Sequence, residues 1–218
     1  LSALRSLEIT FAHPNQVPID PEEVFEFPPL PVLTSLKIED SALSDDVLAR
    51  SSLPTALRKL SFHNCKFLQG NGLSVLTALT SLQELELCLH HRTGPPHPAS
   101  GLRDEQFAGT LHALPLRRLF IAGSRNLSWR GLMGAVPNSL TALSIASGGD
   151  SFFSPADESE QPLHLALPQL TTLCIDFTSI KAMPCRAGVK LQWARAEPRR
   201  AAGHLSRILE GLTSLQQL

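Results

Sequence analysis

Seven copies of one short hydrophobic motif constrain the fold of this chain more than any other feature of its sequence. The motif is Leu-x-x-Leu-x-Leu, with Ile or Phe also allowed at its last position, and successive copies begin 24 to 34 residues apart. The copies begin at Leu4, Leu33, Leu57, Leu82, Leu116, Leu140 and Leu170, and a shortened eighth copy begins at Leu215. A pattern that returns at such a period predicts a stack of similar units, each burying its apolar side against its neighbours.

Apolar and polar positions alternate within each motif copy as expected for a short strand. The fourth and sixth residues share one face of the strand, whereas the third, fifth and seventh point to the other face. Stacked side by side, such strands predict a parallel sheet with one continuous apolar face. A helix is predicted after Ser44, because Ser44 can cap it, Asp45 and Asp46 follow at its positive end, and Val47 and Leu48 face inward. Weaker helical patterns cover residues 72–79, 104–114, 129–136 and 205–212.

The motif copies resemble the repeats of the leucine-rich-repeat superfamily over nearly the whole chain. The segment from Leu57 to Cys65 is similar to the cysteine-containing, ribonuclease-inhibitor-like class, and together with Leu43 to Asp45 it resembles the repeats of F-box substrate receptors. This resemblance implies an α/β solenoid, with a curved parallel sheet on its concave face and helices or irregular turns on its convex face. Residues 1–218 would then form one domain of about seven repeats and a truncated eighth, cut from a longer protein. Other copies carry Ser41, His90 and Ser124 at the cysteine position.

Four segments lengthen the spacing between motif copies and are predicted to be insertions. The segments 13–31 and 90–101 are rich in proline, and 147–162 is rich in serine and acidic residues, so these three are predicted to be loops. The fourth segment, 183–204, is basic and lacks the motif. A helical excursion, a disordered basic loop and a fault in the gene model all remain open for it.

Composition limits the functions and locations that the chain can have. With 19 Lys and Arg against 20 Asp and Glu, its formal charge of -1 provides no overall attraction to nucleic acid or to an anionic membrane. No apolar run approaches the roughly 18 residues that a membrane span needs. The four cysteines lack the spacing of a metal site and the density of a disulfide framework. Unpaired thiols are therefore expected, in an intracellular compartment such as the cytoplasm, the nucleus or an organelle interior. No nucleic-acid partner and no cofactor are expected.

The polar positions of the motif predict a binding face. In stacked strands about 4.8 Å apart, the third, fifth and seventh residues line up in rows across the concave face. Phe120 is expected to be an exposed aromatic anchor among charged neighbours, as interface hot spots tend to be. These features predict a protein-binding module or scaffold, such as a structural subunit of a larger assembly. The resemblance to F-box substrate-receptor repeats implies an alternative, the substrate-receptor part of an F-box type ubiquitin ligase. The residues predicted to contact the partner protein are Lys37, Lys59, Glu84, Glu86, Arg118 and Phe120.

A cysteine hydrolase is a remote alternative. Glu39, His63 and Cys88 fall in one row on adjacent predicted strands, so a carboxylate could orient an imidazole that deprotonates a thiol. Against this alternative, no glycine-rich turn offers an oxyanion hole, and an open sheet face does not exclude water. The chain is therefore predicted not to be an enzyme.

A zinc site is the other chemical alternative. Cys88 and His63 could act as ligands with His90 or His91, and His97 is a fourth candidate. Structural zinc sites need four convergent ligands at short fixed spacings, which this group does not show. No metal site is therefore predicted.

Overall fold

The computed structural model describes residues 3–10, 27, 30–39, 43–65, 68, 70–89, 102–123, 127–146, 167–176 and 188–192. At residues 129, 176 and 188–192 it describes the backbone alone.

Eight short strands form one open, all-parallel sheet in which every strand lies beside its neighbours in the sequence. Each of the seven motif copies predicted a strand, and each forms one of five residues. In a parallel sheet, the chain must return from the end of one strand to the edge where the next strand begins. This return requires the long intervals between copies. The strands are β1 (Ser6–Thr10), β2 (Ser35–Glu39), β3 (Lys59–His63), β4 (Glu84–Cys88), β5 (Arg118–Ala122), β6 (Ala142–Ala146), β7 (Thr172–Asp176) and β8 (Gly188–Gln192).

The register of the sheet places equal motif positions side by side. Leu36 of β2 pairs with Leu7 of β1 and with Leu60 of β3, and the same alignment continues through β7. From β2 to β7, the leucines at the fourth position are at most 2% exposed, so the predicted apolar face is confirmed. In β1, Leu7 and Ile9 are only partly buried.

Short helices cover the apolar face and contribute to one common core with the strands. Segments this short are unstable in isolation, so packing of their apolar residues against the sheet must hold them in place. They are α1 (Asp45–Arg50), the 3-10 helix η1 (Asn71–Ala78), α2 (Asp104–Ala108), the 3-10 helix η2 (Leu111–Ala113) and α3 (Trp129–Ala135). The chain therefore has the predicted α/β class. In the described part of the chain, none of the helices is long and apolar enough to cross a membrane.

The helix start at Ser44 is confirmed, and so is the burial of Val47 and Leu48. The Ser44 hydroxyl accepts a hydrogen bond from the backbone N–H of Val47 at 3.4 Å. The helix predicted at 129–136 is confirmed by α3. Two other helical predictions were less accurate, because segment 72–79 lies in a 3-10 helix and segment 104–114 is divided between α2 and η2. The predicted helix at 205–212 lies outside the described residues.

Aspartates at the start of two helices connect each helix to the next one. The Asp45 carboxylate accepts hydrogen bonds from the backbone N–H groups of Gly70 and Asn71, at 3.0 and 3.1 Å. The Asp104 carboxylate accepts from the Ser128 backbone N–H at 2.8 Å and from the Ser128 hydroxyl at 2.6 Å. N–H groups at a helix start lack partners within their own helix, so each aspartate satisfies donors of its neighbour and fixes the spacing of the pair.

Strand β8 lies within segment 183–204, for which the sequence predicted no strand. Its register sets Val189 opposite Leu173 and Leu191 opposite Ile175, so two apolar residues with one residue between them occupy the fourth and sixth positions. This alternation was the signal in the sequence, although the first leucine of the motif is missing. The three predicted loops at 13–31, 90–101 and 147–162 lie outside the described residues, apart from residues 27, 30 and 31.

The prediction of unpaired thiols is wrong at Cys174, which is disulfide-bonded. Cys65 and Cys88 are buried and form no disulfide. The argument from reduced cysteines to an intracellular location therefore does not hold for the whole chain.

Candidate binding face

The face of the sheet opposite the helices carries the three predicted rows of side chains. Strand pairing places the third, fifth and seventh motif residues in register from β1 to β7, as the sequence predicted. We call this surface the polar face. Its third row is Ser6, Ser35, Lys59, Glu84, Arg118, Ala142 and Thr172. Its fifth row is Glu8, Lys37, Ser61, Glu86, Phe120, Ser144 and Cys174. Its seventh row is Thr10, Glu39, His63, Cys88, Ala122, Ala146 and Asp176.

Four of the six predicted contact residues form one ion-pair network across β3, β4 and β5. The Lys59 ammonium lies 2.7 Å from the Glu86 carboxylate and 3.8 Å from that of Glu84. Glu84 in turn lies 3.2 Å from the Arg118 guanidinium. Arg118 is the most exposed member, with 68% of its side chain accessible, whereas the other three are 29 to 39% accessible. The network is electrically balanced, with two cations and two carboxylates.

Lys37 belongs to a separate network on β1 and β2. Its ammonium lies 2.6 Å from the Glu39 carboxylate and 2.8 Å from the Glu8 carboxylate. Hydrogen bonds to Glu39 and then to Glu8 raise the pKa of Lys37 above its ordinary value, so the charged form is favoured. The structure thus divides the five charged residues among the predicted contacts between two networks.

Glu86 is the central acceptor of the larger network. His63 Nε2 lies 3.5 Å from its carboxylate, the Lys59 ammonium donates to it at 2.7 Å, and the buried Ser61 hydroxyl donates at 2.7 Å. The interaction with His63, followed by those with Lys59 and Ser61, lowers the pKa of Glu86 from 4.5 to about 2 although burial opposes the shift. Glu86 is therefore held ionised in the folded chain.

Replacing Glu86 by Gln is expected to remove a pH-dependent part of the stability. The folded pKa of about 2 lies below the ordinary 4.5, so the contribution of Glu86 is fully present above pH 4.5 and is lost as the pH falls towards 2. The free energy of unfolding, measured by urea titration, should differ most between wild type and variant at neutral pH and should converge in acid. The exposed Glu105→Gln variant is the control, and a difference for Glu86→Gln that stays constant with pH would contradict the assignment.

The predicted trio of Glu39, His63 and Cys88 does not have the geometry of a catalytic triad. Glu39 pairs with Lys37, and the carboxylate beside His63 belongs to Glu86. Cys88 Sγ lies 3.7 Å from His63 Nε2, the same nitrogen that faces Glu86, whereas a triad uses the two ring nitrogens for the two partners. Burial, followed by the charge of Glu86, raises the pKa of the Cys88 thiol to about 12. This shift is opposite to the one that activates a nucleophile.

Cys88 is expected to resist alkylation in the folded chain. Because its pKa rises from 9.0 to about 12, its thiolate fraction at neutral pH is about a thousandfold smaller than that of an ordinary cysteine. Iodoacetamide labelling of Cys88, followed by peptide mass spectrometry, should be much slower in the native protein than in urea. Faster labelling of the native protein would restore the hydrolase alternative.

Phe120 is less exposed than the sequence predicted. It is half-buried and packs against a small apolar cluster made of Cys88, Ala122 and Ala146. This cluster lies on the polar face and is separate from the main core. The two alanines leave room beside the strands, so the aromatic ring can lie over them. The ring remains partly accessible beside Arg118.

The zinc alternative gains no support from the described residues. In the part of the chain that the structure covers, no group of three or more His, Cys, Asp or Glu side chains could hold a metal ion. The candidate ligands His90, His91 and His97 lie outside it.

Sequence reasoning missed three participants in the polar face. Glu8 contributes to the pairing of Lys37, and its position next to Lys37 in the fifth row was the available signal. Ser61 lies buried beneath the Glu86 carboxylate, which a row of alternating polar residues does not predict. The small residue Ala122 forms part of the surface on which Phe120 packs.

No protein-family model matches the chain, and a comparison with curated proteins finds no match.

Proposed function

We propose that the chain is a leucine-rich-repeat solenoid that binds a partner protein across the polar face of its sheet. The observation that carries the proposal is the common register of β1 to β7, in which equal motif positions form continuous rows. A stack that repeats one unit produces a broad surface whose side chains can vary without changing the core.

The middle of the polar face has the composition of an interface centre. Arg118 is largely exposed, and Phe120 lies beside it with part of its ring accessible. Arginine and aromatic residues contribute most of the binding energy in many interfaces. Lys59 already forms ion pairs with Glu84 and Glu86. A partner would therefore meet side chains whose positions are largely fixed before binding. Such preorganisation reduces the entropy cost of association.

The charges of this region indicate what the partner must offer. Since the two cations and two carboxylates of the larger network balance each other, no strongly charged partner is needed there. A partner that places an apolar group against Phe120 and a hydrogen-bond acceptor against Arg118 would use both accessible side chains. We assign the chain no reaction, because its best candidate nucleophile, Cys88, has a pKa raised to about 12.

Site-specific photo-crosslinking tests the proposal. The photoreactive residue p-benzoylphenylalanine replaces Phe120 in one protein and the exposed Ala113 of η2 in a control protein. Both proteins are expressed in the native source, irradiated and analysed by mass spectrometry. A defined partner should crosslink from position 120 and should be absent at position 113.

The two sets of crosslinks decide between binding modes. The same partners at both positions, or none at position 120, would contradict recognition by the polar face. The identity of a partner captured only at position 120 would also separate a subunit of an assembly from a substrate of a ubiquitin ligase.

A further inference from the structure

A further row of side chains lies at the edge of the sheet where the strands begin. The residues at the second motif position donate their backbone N–H to the carbonyl oxygen of the equivalent residue in the preceding copy, at 2.8 to 2.9 Å. This ladder aligns the residues strand by strand, and we call it the rim row. The rim row consists of Arg5, Thr34, Arg58, Gln83, Arg117, Thr141 and Thr171.

The charge of the rim row has one sign. Arg5, Arg58 and Arg117 belong to alternate strands, and the residues between them are neutral. No Asp or Glu occurs in the described segments that lead into the strands, which are 3–5, 30–34, 53–58, 79–83, 111–117, 136–141 and 167–171. The acidic residues Asp45, Asp46, Asp104 and Glu105 open α1 and α2, and these helices begin beyond the opposite ends of the strands. A chain with a formal charge of -1 therefore has a cationic edge.

The three rim arginines are available for binding. All three are exposed, and within the described part of the chain their guanidinium groups form no ion pair or hydrogen bond. The cations of the polar face differ, since Lys37, Lys59 and Arg118 each contact a carboxylate of this chain. A carboxylate from outside could therefore bind a rim arginine without displacing a partner among the described residues.

We propose that the rim row binds an extended acidic segment of a partner protein. Neighbouring strands lie about 4.8 Å apart, so arginines on alternate strands are about 10 Å apart. An extended segment in the polyproline II conformation has three residues per turn and advances about 3.1 Å per residue, so acidic side chains at every third position lie on one side of it, about 9 Å apart, and would match the three arginines. Arginine suits this task because its planar guanidinium can bond a carboxylate through two N–H groups. Gln83 lies between two of the arginines, and its amide can bond the backbone of such a segment. Thr34 lies between the other two; its hydroxyl donates to the Arg5 carbonyl at 3.1 Å, and its oxygen can still accept a hydrogen bond from the segment.

The observations favour a protein partner over nucleic acid. Single-stranded nucleic acid binds to surfaces that combine basic residues with aromatic rings for base stacking, and the rim row contains no aromatic residue. The formal charge of the chain also provides no general attraction to a polyanion. The rim row shares no side chain with the polar face, so this proposal and the proposed function can fail separately.

Fluorescence anisotropy with a synthetic peptide tests the proposal. The probe is a fluorescein-labelled peptide of repeated Glu-Ser-Gly units, and a second peptide of the same composition carries its glutamates in one block. The test protein is Arg58→Gln/Arg117→Gln, and the control is Arg103→Gln/Arg130→Gln, which has the same net charge but is altered in or beside α2 and α3. The wild-type chain should bind the spaced peptide, the rim variant at least tenfold more weakly, and the control within about twofold of wild type.

Four results would overturn the proposal. The first is absence of binding to wild type. The second is an equal loss of affinity in the two variants, which would indicate unspecific charge attraction. The third is equal affinity for the spaced and blocked peptides, because it would remove the match to alternate strands. The fourth is tighter binding of an oligothymidylate of equal charge with the same dependence on Arg58 and Arg117, which would reassign the row to nucleic acid.

Discussion

The Phe62→Ala variant should lose roughly 3 to 5 kcal/mol of unfolding free energy, a large part of the stability of a typical domain. Phe62 occupies the sixth motif position of β3, is fully buried, and pairs in register with Ile38 and Leu87. Truncation removes apolar surface from the core and leaves a cavity that the strands on both sides and the helices above can fill only in part. Urea unfolding followed by circular dichroism measures the change.

Phe62→Leu is the matched control for this prediction. The equivalent position in β4 is a leucine, Leu87, so a leucine side chain fits the pattern of the apolar face. The cost of this substitution is expected to stay below about 1.5 kcal/mol, because most of the buried volume remains apolar. Similar losses for the two variants would mean that Phe62 does not fill the core as described.

Gly131→Ala should destabilise the chain by roughly 2 to 3 kcal/mol even though alanine is the better helix former. A Cβ added at Gly131 of α3 would lie 1.9 Å from Asp104 Cγ and 2.2 Å from Asp104 Cβ, so α2 and α3 would have to separate. Separation would also weaken the two hydrogen bonds from Ser128 to the Asp104 carboxylate. These losses exceed the gain of about 1 kcal/mol from helix propensity.

Gly134→Ala provides the control within the same helix. A Cβ at Gly134 would meet no atom within 4 Å, so only the helix propensity changes and the variant should be more stable by about 0.5 to 1 kcal/mol. Opposite signs for the two substitutions, measured by urea unfolding, are the expected result. Stabilisation by both would contradict the close approach of α2 and α3.

The strands could be predicted from the sequence because their determinants are local. Leucine at the fourth position and a large apolar residue at the sixth specify a strand with one buried face, and equal spacing within each copy specifies the register. Leu36 and Leu60 are neighbours for this reason. Ser44 was also recognisable, since an N-cap depends on residues within one turn.

The side-chain pairings could not be predicted from the sequence. Each polar side chain has several neighbours on adjacent strands and rows, and its rotamer decides which of them it contacts. His63 on β3 has one carboxylate on each neighbouring strand, Glu39 on β2 and Glu86 on β4. It faces Glu86, because Glu39 pairs with Lys37. Phe120 packs over the space left by small residues and is therefore only partly exposed to solvent. The disulfide at Cys174 has no local signal in the spacing of the cysteines.

The affinity of the partner captured at position 120 for two variants tests the central claim most directly. One variant is Arg118→Glu/Phe120→Ala on the polar face, and the other is Arg103→Glu/Arg130→Glu in or beside α2 and α3. Both should unfold at similar temperatures, which circular dichroism can verify. Binding across the polar face predicts that Kd rises at least a hundredfold for the first variant, as expected for an interface centre. For the second variant, Kd should rise less than about threefold. An unchanged Kd for Arg118→Glu/Phe120→Ala would contradict recognition by the polar face.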